Sequence, residues 1–506
     1  MISTSTNSLF IGVVGAGVMG RGIAQLFAVA GHRVALFDAN PGAASQSLGQ
    51  ITALLGQLSG KGRMTPEAAA AASERLSAVD DLKALSNCDV VIEAIVEEIS
   101  AKRQLVERLE AILSDEALIA SNTSSLLVAE IAAGARRPER IAGLHFFNPV
   151  PLMKVAEVIS AVRTSADTVT RLKAITEGAG HRAVVASDQP GFLVNHAGRG
   201  LYTEGLALLE DRIADHAQID QVLRDAAGFR MGPFELFDLT GIDVSGRVLT
   251  GIFEQFQFEP RFRPSSLVPP RIAAGLYGRK SGRGWYDYSA PPTESAAPPA
   301  PPVESAGRFW VAPDSPHYEG LIKAGMEQNG VPAPDAEDDD VLILVQPWGR
   351  ELSSVCRERG YDPTRAVAVD PLTGLDRRRT LMVTPACSPL TRSRALWLLG
   401  GGETPATIIA DSPGFVTQRV LSVIINIACQ IAQRGIADVH DIDDAVQLGL
   451  GYPKGPLAWG DEIGPDRVVA ILDAIRETTG DPRYRVSPWL RQRAALGLSL
   501  LHRNPA

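Results

Sequence analysis

The sequence predicts an α/β Rossmann-type domain followed by an all-helical domain, and behind them a degenerate α/β segment and a second copy of the helical domain. Three observations carry this. A glycine turn, Gly15-Ala16-Gly17-Val18-Met19-Gly20, joins an apolar strand to a helical pattern; apolar strands with polar tips follow at α/β spacing; and the chain from Asp188 recurs at a constant shift of 223 residues (411 − 188).

Composition narrows the class before any motif is weighed. A chain of 506 residues suffices for about three or four domains with cores of their own. Its 49 basic and 58 acidic residues give a net charge of −9 without a basic tract, which argues against a nucleic-acid partner. Cys88, Cys356, Cys387 and Cys429 form no CxxC pair, so neither a disulfide framework nor a zinc or other metal site is expected. The first eight residues lack a charged region followed by an apolar core, and no apolar run reaches membrane-spanning length. A cytoplasmic protein without a membrane partner is the expectation.

Phe10 to Val14 reads as a buried strand, the pattern from Arg21 to Ala30 as a helix stopped by Gly31, and Arg33 to Phe37 as a second strand tipped by Asp38. A glycine turn alone is weak evidence, but a strand, glycine turn, helix and acid-tipped strand together predict a dinucleotide site. Gly15 permits the tight turn, Gly17 lets backbone approach a pyrophosphate, and Gly20 allows helix to pack on strand. Asp38 would hold the ribose hydroxyls and repel a 2′-phosphate, so NAD is expected over NADP. Asp89 to Ile95, Ala117 to Ser121 and Ile141 to Leu144 extend the sheet, with a helix over Ala101 to Leu113. Their ends carry Glu93 to Glu97, Asn122 to Ser125, and His145, where such a sheet places its ligand. Asn122 to Ser125 serves equally as a helix cap.

The stretch from Ile141 to Ile159 carries the chemistry. Its strand delivers His145, Asn148-Pro149-Val150-Pro151 forces a reversal, and a second extended run returns Glu157 so that a carboxylate can hold one imidazole nitrogen. From Asp188-Gln-Pro-Gly-Phe-Leu-Val-Asn195 to about Asp287 the apolar spacing is helical, with a helix beginning near Ile219.

The glycine turn, Ser-Asn-Thr-Ser-Ser125, His145-Phe-Phe-Asn-Pro-Val-Pro151 with Glu157, and Asp188-x-Pro-Gly-Phe-x-x-Asn195 together resemble the 3-hydroxyacyl-CoA dehydrogenase family from about Phe10 to Tyr288. The resemblance implies NAD-dependent oxidation of a 3-hydroxyacyl thioester. His145 would be the catalytic base and Glu157 its orienting partner. Ser124 and Asn195 would contact the reacting group. The implied cofactor contacts are Asp38, Glu97, Lys102, Ser124, Asn148 and Lys280, and the implied coenzyme A contacts are Ser47 and Lys61. His196 departs from the family, which has an arginine after the asparagine. The acyl chain stays open between short 3-hydroxybutyryl and dicarboxylyl 3-hydroxyadipyl groups, in fatty-acid β-oxidation or in phenylacetate and other aromatic-acid degradation. Two rivals are a dehydrogenase of another small hydroxy acid, which would need a lysine beside Asn195 that is absent, and a non-catalytic relative resembling lens crystallin, against which His145 and Glu157 both argue.

Ser289 to Ala306, rich in Pro, Ala, Glu and Ser, reads as a stiff linker. Beyond it, strands at Val341 to Val345, Ala366 to Val369 and Leu381 to Val383 suggest an α/β segment without a glycine fingerprint. The shift of 223 then aligns Asp188, Gly191, Asp220, Gly232 and Asp238 with Asp411, Gly414, Asp443, Gly455 and Asp461, which indicates a duplicated domain. Asn195 becomes Gln418, and no counterpart of the histidine motif precedes this copy. The expected layout is a NAD-binding domain over 1–186, a helical domain over 187–288, the linker over 289–306, a degenerate α/β domain over 307–404 and a second helical domain over 405–506. The two helical copies are expected to pair as an internal pseudo-dimer, and a homo-oligomer stays open.

Overall fold

In the computed structural model the described residues are 8–289 and 307–504, so all of the expected linker but Ser289 lies outside them. The chain forms two compact units, Met1–His196 with Arg434–Leu450, and Ala197–Gln433 with Gly451–Ala506.

The first unit is built on an eight-stranded sheet in the order β3-β2-β1-β4-β5-β6-β7-β8. Its strands are β1 (Phe10–Val14), β2 (Arg33–Phe37), β3 (Leu76–Val79), β4 (Val90–Glu93), β5 (Leu118–Ser121), β6 (Ile141–Phe146), β7 (Val155–Ser160) and β8 (Arg182–Ser187). All neighbours are parallel except β6 and β7, which the proline-rich reversal turns antiparallel. β3 and β8 were not expected. Both are outermost strands with partly exposed faces, so neither shows the unbroken apolar run of a central parallel strand. On one face the helix Val18–Val29 packs Ile23 and Phe27 against Ile11, Val13, Val34 and Leu36, and on the other Ile99–Glu110 packs Leu105 and Leu109 against Val91 and Ile119. Burying each such side chain contributes about 1.5–3 kcal/mol.

Segment Arg434–Leu450, which the sequence assigns to the second helical copy, belongs to this unit. It covers the free edge of β8. Ser187 donates its N–H to the Ile436 carbonyl at 2.8 Å, Val185 donates its N–H to Asp441 at 3.1 Å, and the Arg182 guanidinium reaches Asp441 at 2.5 Å and Asp444 at 2.8 Å. Unpaired edges otherwise invite pairing with other chains.

In the second unit the helix Arg199–Glu210 packs along Thr417–Gln433. The latter is buried over nearly its whole circumference, as a helix at the centre of a bundle must be. Arg419 and Glu204, both almost fully buried, join these helices by an ion pair of 2.6 Å, and the Tyr484 hydroxyl also donates to Glu204 at 2.9 Å. The helix His216–Asp225 begins earlier than its apolar pattern indicates, because Asp215 and Gln218 form a capping box. The degenerate segment is a six-stranded sheet in the order β10-β9-β11-β12-β13-β14. These strands are β9 (Arg308–Val311), β10 (Val331–Pro332), β11 (Leu342–Val345), β12 (Ala366–Val369), β13 (Arg379–Val383) and β14 (Ala406–Ala410). An antiparallel β12/β13 pair followed by a parallel β14 repeats the pattern of β6, β7 and β8.

The duplication extends to backbone detail. Phe192 and Phe415 both adopt positive φ, 49° and 50°, which non-glycine residues rarely do. Asp188 accepts the N–H groups of Val128 and Ala129 at a helix start, and Asp411 accepts those of Leu352 and Ser353 in the same way.

Candidate functional site

β1, β4, β5 and β6 are successive neighbours in the first sheet, so their carboxyl ends bring four of the chosen groups onto one edge. Gly15, at φ 104°, turns so tightly that a Cβ there would meet the Ala94 carbonyl oxygen at 2.5 Å, and a Cβ on Gly20 would meet the Gly15 oxygen at 1.8 Å. A Cβ on Gly17 would meet nothing within 4 Å. The first and third glycines are therefore fixed by packing, while the second faces open space at the start of the Val18–Val29 helix. That is the cradle a pyrophosphate requires, with helix N–H groups directed at the anion. Asp38 accepts the Ala16 N–H at 2.7 Å and the Asn40 N–H at 2.8 Å, which fixes its carboxylate beside the turn. Val18 and Val96 stay 58% and 67% exposed, leaving apolar surface at this edge for a flat ring to cover.

Glu97 gathers the loop after β5. One of its oxygens accepts from the Thr123 hydroxyl at 2.7 Å, the Ser124 N–H at 2.9 Å and the Ser125 N–H at 3.0 Å. Burial acts to raise its pKa, but the hydrogen bonds from Thr123, Ser124 and Ser125 and the Lys102 charge outweigh it and hold the carboxyl below its ordinary value. Lys102, expected at the cofactor, is 1% exposed and committed to Glu93 at 2.8 Å and Glu97 at 3.3 Å, so it supports the loop from beneath. Glu93 was not singled out individually. An acid within the apolar strand Val90–Glu93 was its signal, since buried carboxylates are nearly always paired. Ser124 is exposed beyond the end of β5, and Asn148 is exposed in the reversal after β6.

His145 and Glu157 face each other directly across the β6/β7 ladder, with Nδ1 and a carboxylate oxygen 2.5 Å apart. The other Glu157 oxygen accepts the N–H groups of Leu193 and Val194, each at 2.8 Å. These two backbone donors were not foreseen; the αL turn at Gly191-Phe192 aims them. With an acceptor facing Nδ1, the imidazole carries its proton there and leaves Nε2 as a basic lone pair. Phe147 and Phe192 flank the ring at centroid distances of 4.5 and 5.9 Å. Glu157 is fully buried and His145 is 5% exposed, so this dyad is sheltered from water. Asn195 is half-buried on the short helix Val194–Ala197 that follows the turn, and His196 beside it is fully buried. The arginine expected after Asn195 stands instead at the equivalent position of the second copy, as Arg419.

One of the other expected contacts has a different role. Ser47, expected at coenzyme A, is buried and donates to the Ala16 carbonyl at 2.7 Å, so it braces the glycine turn. Lys61 is exposed at the far end of the helix Ala43–Gly60, about 20 Å along the axis from Ser47. Lys280 lies in the second unit, 2.6 Å from Asp243.

The second sheet has a counterpart of the histidine position that sequence comparison does not reveal. Asp370 follows β12 as the fourth residue after Ala366, as His145 is the fourth after Ile141, and Ala366 and Ile141 each pair with the preceding parallel strand. Asp370 donates its N–H to the Thr380 carbonyl at 2.9 Å, so Thr380 occupies the place of Glu157. The Asp370 carboxylate accepts from Gln418 at 2.9 Å and from the Thr417 hydroxyl. A carboxylate, a threonine and a glutamine thus replace histidine, glutamate and asparagine.

Known proteins resemble this chain in sequence and in fold. A family model described as 3-hydroxyacyl-CoA dehydrogenase, NAD binding domain matches residues 10–189. A second, 3-hydroxyacyl-CoA dehydrogenase, C-terminal domain, matches residues 191–288 and again 414–499. The chain is 36% identical to the 3-hydroxyadipyl-CoA dehydrogenase of Escherichia coli K12, covering 96% of this chain and 97% of that protein. It is 37% identical to a probable 3-hydroxybutyryl-CoA dehydrogenase of Bacillus subtilis, which spans 54% of this chain and is itself 96% covered. A crystal structure of 3-hydroxybutyryl-CoA dehydrogenase from Escherichia coli K12 superposes with a TM-score of 0.87 at 35% identity, over 97% of this chain and 99% of that one.

Proposed function

Because this chain belongs to the 3-hydroxyacyl-CoA dehydrogenase family, we propose that it oxidises an (S)-3-hydroxyacyl-CoA to the 3-oxoacyl-CoA with His145 as proton acceptor. It is an NAD-dependent oxidoreductase. Bound NAD supplies the acceptor for the C3 hydride. His145 Nε2 takes the hydroxyl proton, and Glu157, held in place by the N–H groups of Leu193 and Val194, stabilises the imidazolium that results. Ser124 and Asn195 donate to the developing ketone or to the thioester oxygen. Gly15 to Gly20 would hold the pyrophosphate, Asp38 the adenosine ribose, and Glu97 and Asn148 would contact the cofactor. Lys61 is assigned to coenzyme A.

The acyl group is assigned to the short-chain or dicarboxylyl range, as 3-hydroxybutyryl or 3-hydroxyadipyl, because the relatives that match nearly the whole chain carry those names. This range fits cytoplasmic aromatic-acid degradation, including that of phenylacetate, as well as β-oxidation. Among the described residues no helix is long and apolar enough to cross a membrane. The two helical copies are assigned as an internal pseudo-dimer, supported by the packing of Arg199–Glu210 along Thr417–Gln433, with one NAD site and one active site per chain.

The observation that carries this reading is the His145–Glu157 pair held by two backbone donors. His145→Ala should lower kcat by roughly two to four powers of ten while calorimetric titration shows unchanged NAD affinity. Turnover near that of the wild type would overturn it. A panel of acyl-CoA substrates would then fix the chain length.

A further inference from the structure

The second sheet contains a cleft whose lining residues have no role in the proposed oxidation. A cavity of about 770 Å³ opens at the carboxyl ends of β9, β11 and β12, where His317, Trp348 and Pro371 to Thr373 leave the sheet, and Trp459 and Arg467 of the second helical copy close it. Open α/β sheets bind ligands at that edge, and the volume lies within the range of about 300–1,000 Å³ of small-molecule sites. The chemistry of the first sheet is absent from it. Asp370 offers no imidazole, and burial pushes its carboxyl above the ordinary range while Thr417 and Gln418 occupy its oxygens. The loop after β9 carries Pro313 and Pro316 where the loop after β1 carries glycines, so it has fewer N–H groups with which to cradle a pyrophosphate.

What the cleft retains is side-chain charge beside aromatic surface. Arg377 and Arg467 line it, and neither has an ion-pair partner among the described residues: Arg377 donates to the Ala226 carbonyl at 3.4 Å and Arg467 to the Ile463 carbonyl at 3.0 Å. The Arg467 guanidinium lies 4.6 Å from the ring centre of half-buried Trp348. Lys454 faces the same cavity paired with Glu462, and Asp376 is the other lining carboxylate. Guanidinium groups bind phosphate oxygens in bidentate fashion, and an indole or a guanidinium plane stacks on a purine.

We propose that this cleft is a non-catalytic site for a phosphorylated adenosine, the nucleotide end of coenzyme A, bound by Arg377 and Arg467 beside Trp348. The duplicated half would then hold a second molecule of the substrate class where the first half holds its reacting one.

The test is calorimetric titration of the full-length chain with coenzyme A, adenosine 3′,5′-bisphosphate, NAD and inorganic phosphate in separate arms. Wild type should take up two equivalents of coenzyme A and one of NAD. The double variant Arg377→Ala/Arg467→Ala should lose one coenzyme A equivalent or bind it at least tenfold more weakly, keeping one NAD and a kcat within twofold. Trp348→Phe, a milder change, should abolish the fluorescence quenching that accompanies the second binding event. One coenzyme A per chain in both wild type and double variant overturns the proposal, as does a second equivalent taken from NAD but not from coenzyme A. The catalytic reading is judged separately by NADH formation, which this site does not touch.

Discussion

Replacing Glu157 by glutamine tests the active-site geometry more sharply than removing the histidine, because the two side chains are nearly isosteric. One Glu157 oxygen accepts two backbone N–H groups at 2.8 Å, so in the variant the amide oxygen must stay there. The amide NH₂ then faces His145 Nδ1, where the wild type has an acceptor at 2.5 Å. The imidazole can satisfy that donor only by moving its proton to Nε2, the nitrogen required as base. Flipping the amide instead sets NH₂ against two donors and leaves two buried N–H groups unpaired, at about 1–3 kcal/mol each. The inactive tautomer therefore prevails. The expected loss in kcat is roughly 10²–10⁴-fold, or about 3–5 kcal/mol at 1.36 kcal/mol per decade. Steady-state NADH formation measures it, and an unchanged NAD dissociation constant together with a nearly unchanged thermal midpoint would localise the defect to chemistry. A kcat within threefold of wild type would refute the tautomer argument even if His145 proved essential.

Asp38→Ala should weaken NAD binding and narrow the discrimination against NADP, read as the ratio of kcat/KM for the two cofactors; a wild type indifferent between them would remove Asp38 from the ribose. Glu97 has a folded-state pKa below its unfolded one, so its contribution to stability is present above about pH 4.3 and is lost as pH falls through the lower folded value. Glu97→Gln should accordingly flatten the decline of the urea midpoint below pH 5, and an unchanged acid limb would count against it. Arg419→Met leaves Glu204, 0% exposed, without its ion partner and should cost about 3–5 kcal/mol in urea denaturation. A loss under 1 kcal/mol would mean that Glu204 is stabilised otherwise, and Arg419→Met/Glu204→Leu should recover most of it. Truncation after Tyr288 should yield a fragment that dimerises or aggregates, seen by sedimentation, because the helix Thr417–Gln433 that packs on Arg199–Glu210 is gone; a monodisperse monomer would contradict this.

Local pattern carried the reading where local physics decides the structure. The glycine turn, acid-tipped strand and proline reversal each constrain the backbone within a few residues, so Gly15 to Gly20, Asp38 and the His145–Glu157 pair were legible. Features settled by distant contacts were not. Nothing around Leu193 and Val194 marks their N–H groups as partners of a carboxylate some 36 residues earlier. Ser47 has the composition of a ligand contact, yet its hydroxyl is taken by a carbonyl 31 residues away. Thr380 lies at the shift of 223 from Glu157 but shares no residue type with it, and Asp370 lies two residues off that shift from His145, so only the pairing register equates those two. The duplication itself was visible because turn glycines and helix-capping aspartates must be kept for the fold, whereas catalytic residues need not be.

The strap of residues 434–450 along β8 gives the chain a timetable. The Val185 N–H finds its acceptor, Asp441, 256 residues further on. At about 5–20 residues per second of synthesis, that partner emerges some 13–50 s after the strand it completes. During this interval β8 presents a bare edge beside the strand that carries Glu157. The first sheet must therefore wait for residues 434–450 before its edge is sealed, and a chaperone that guards exposed strand edges would find its client in that window.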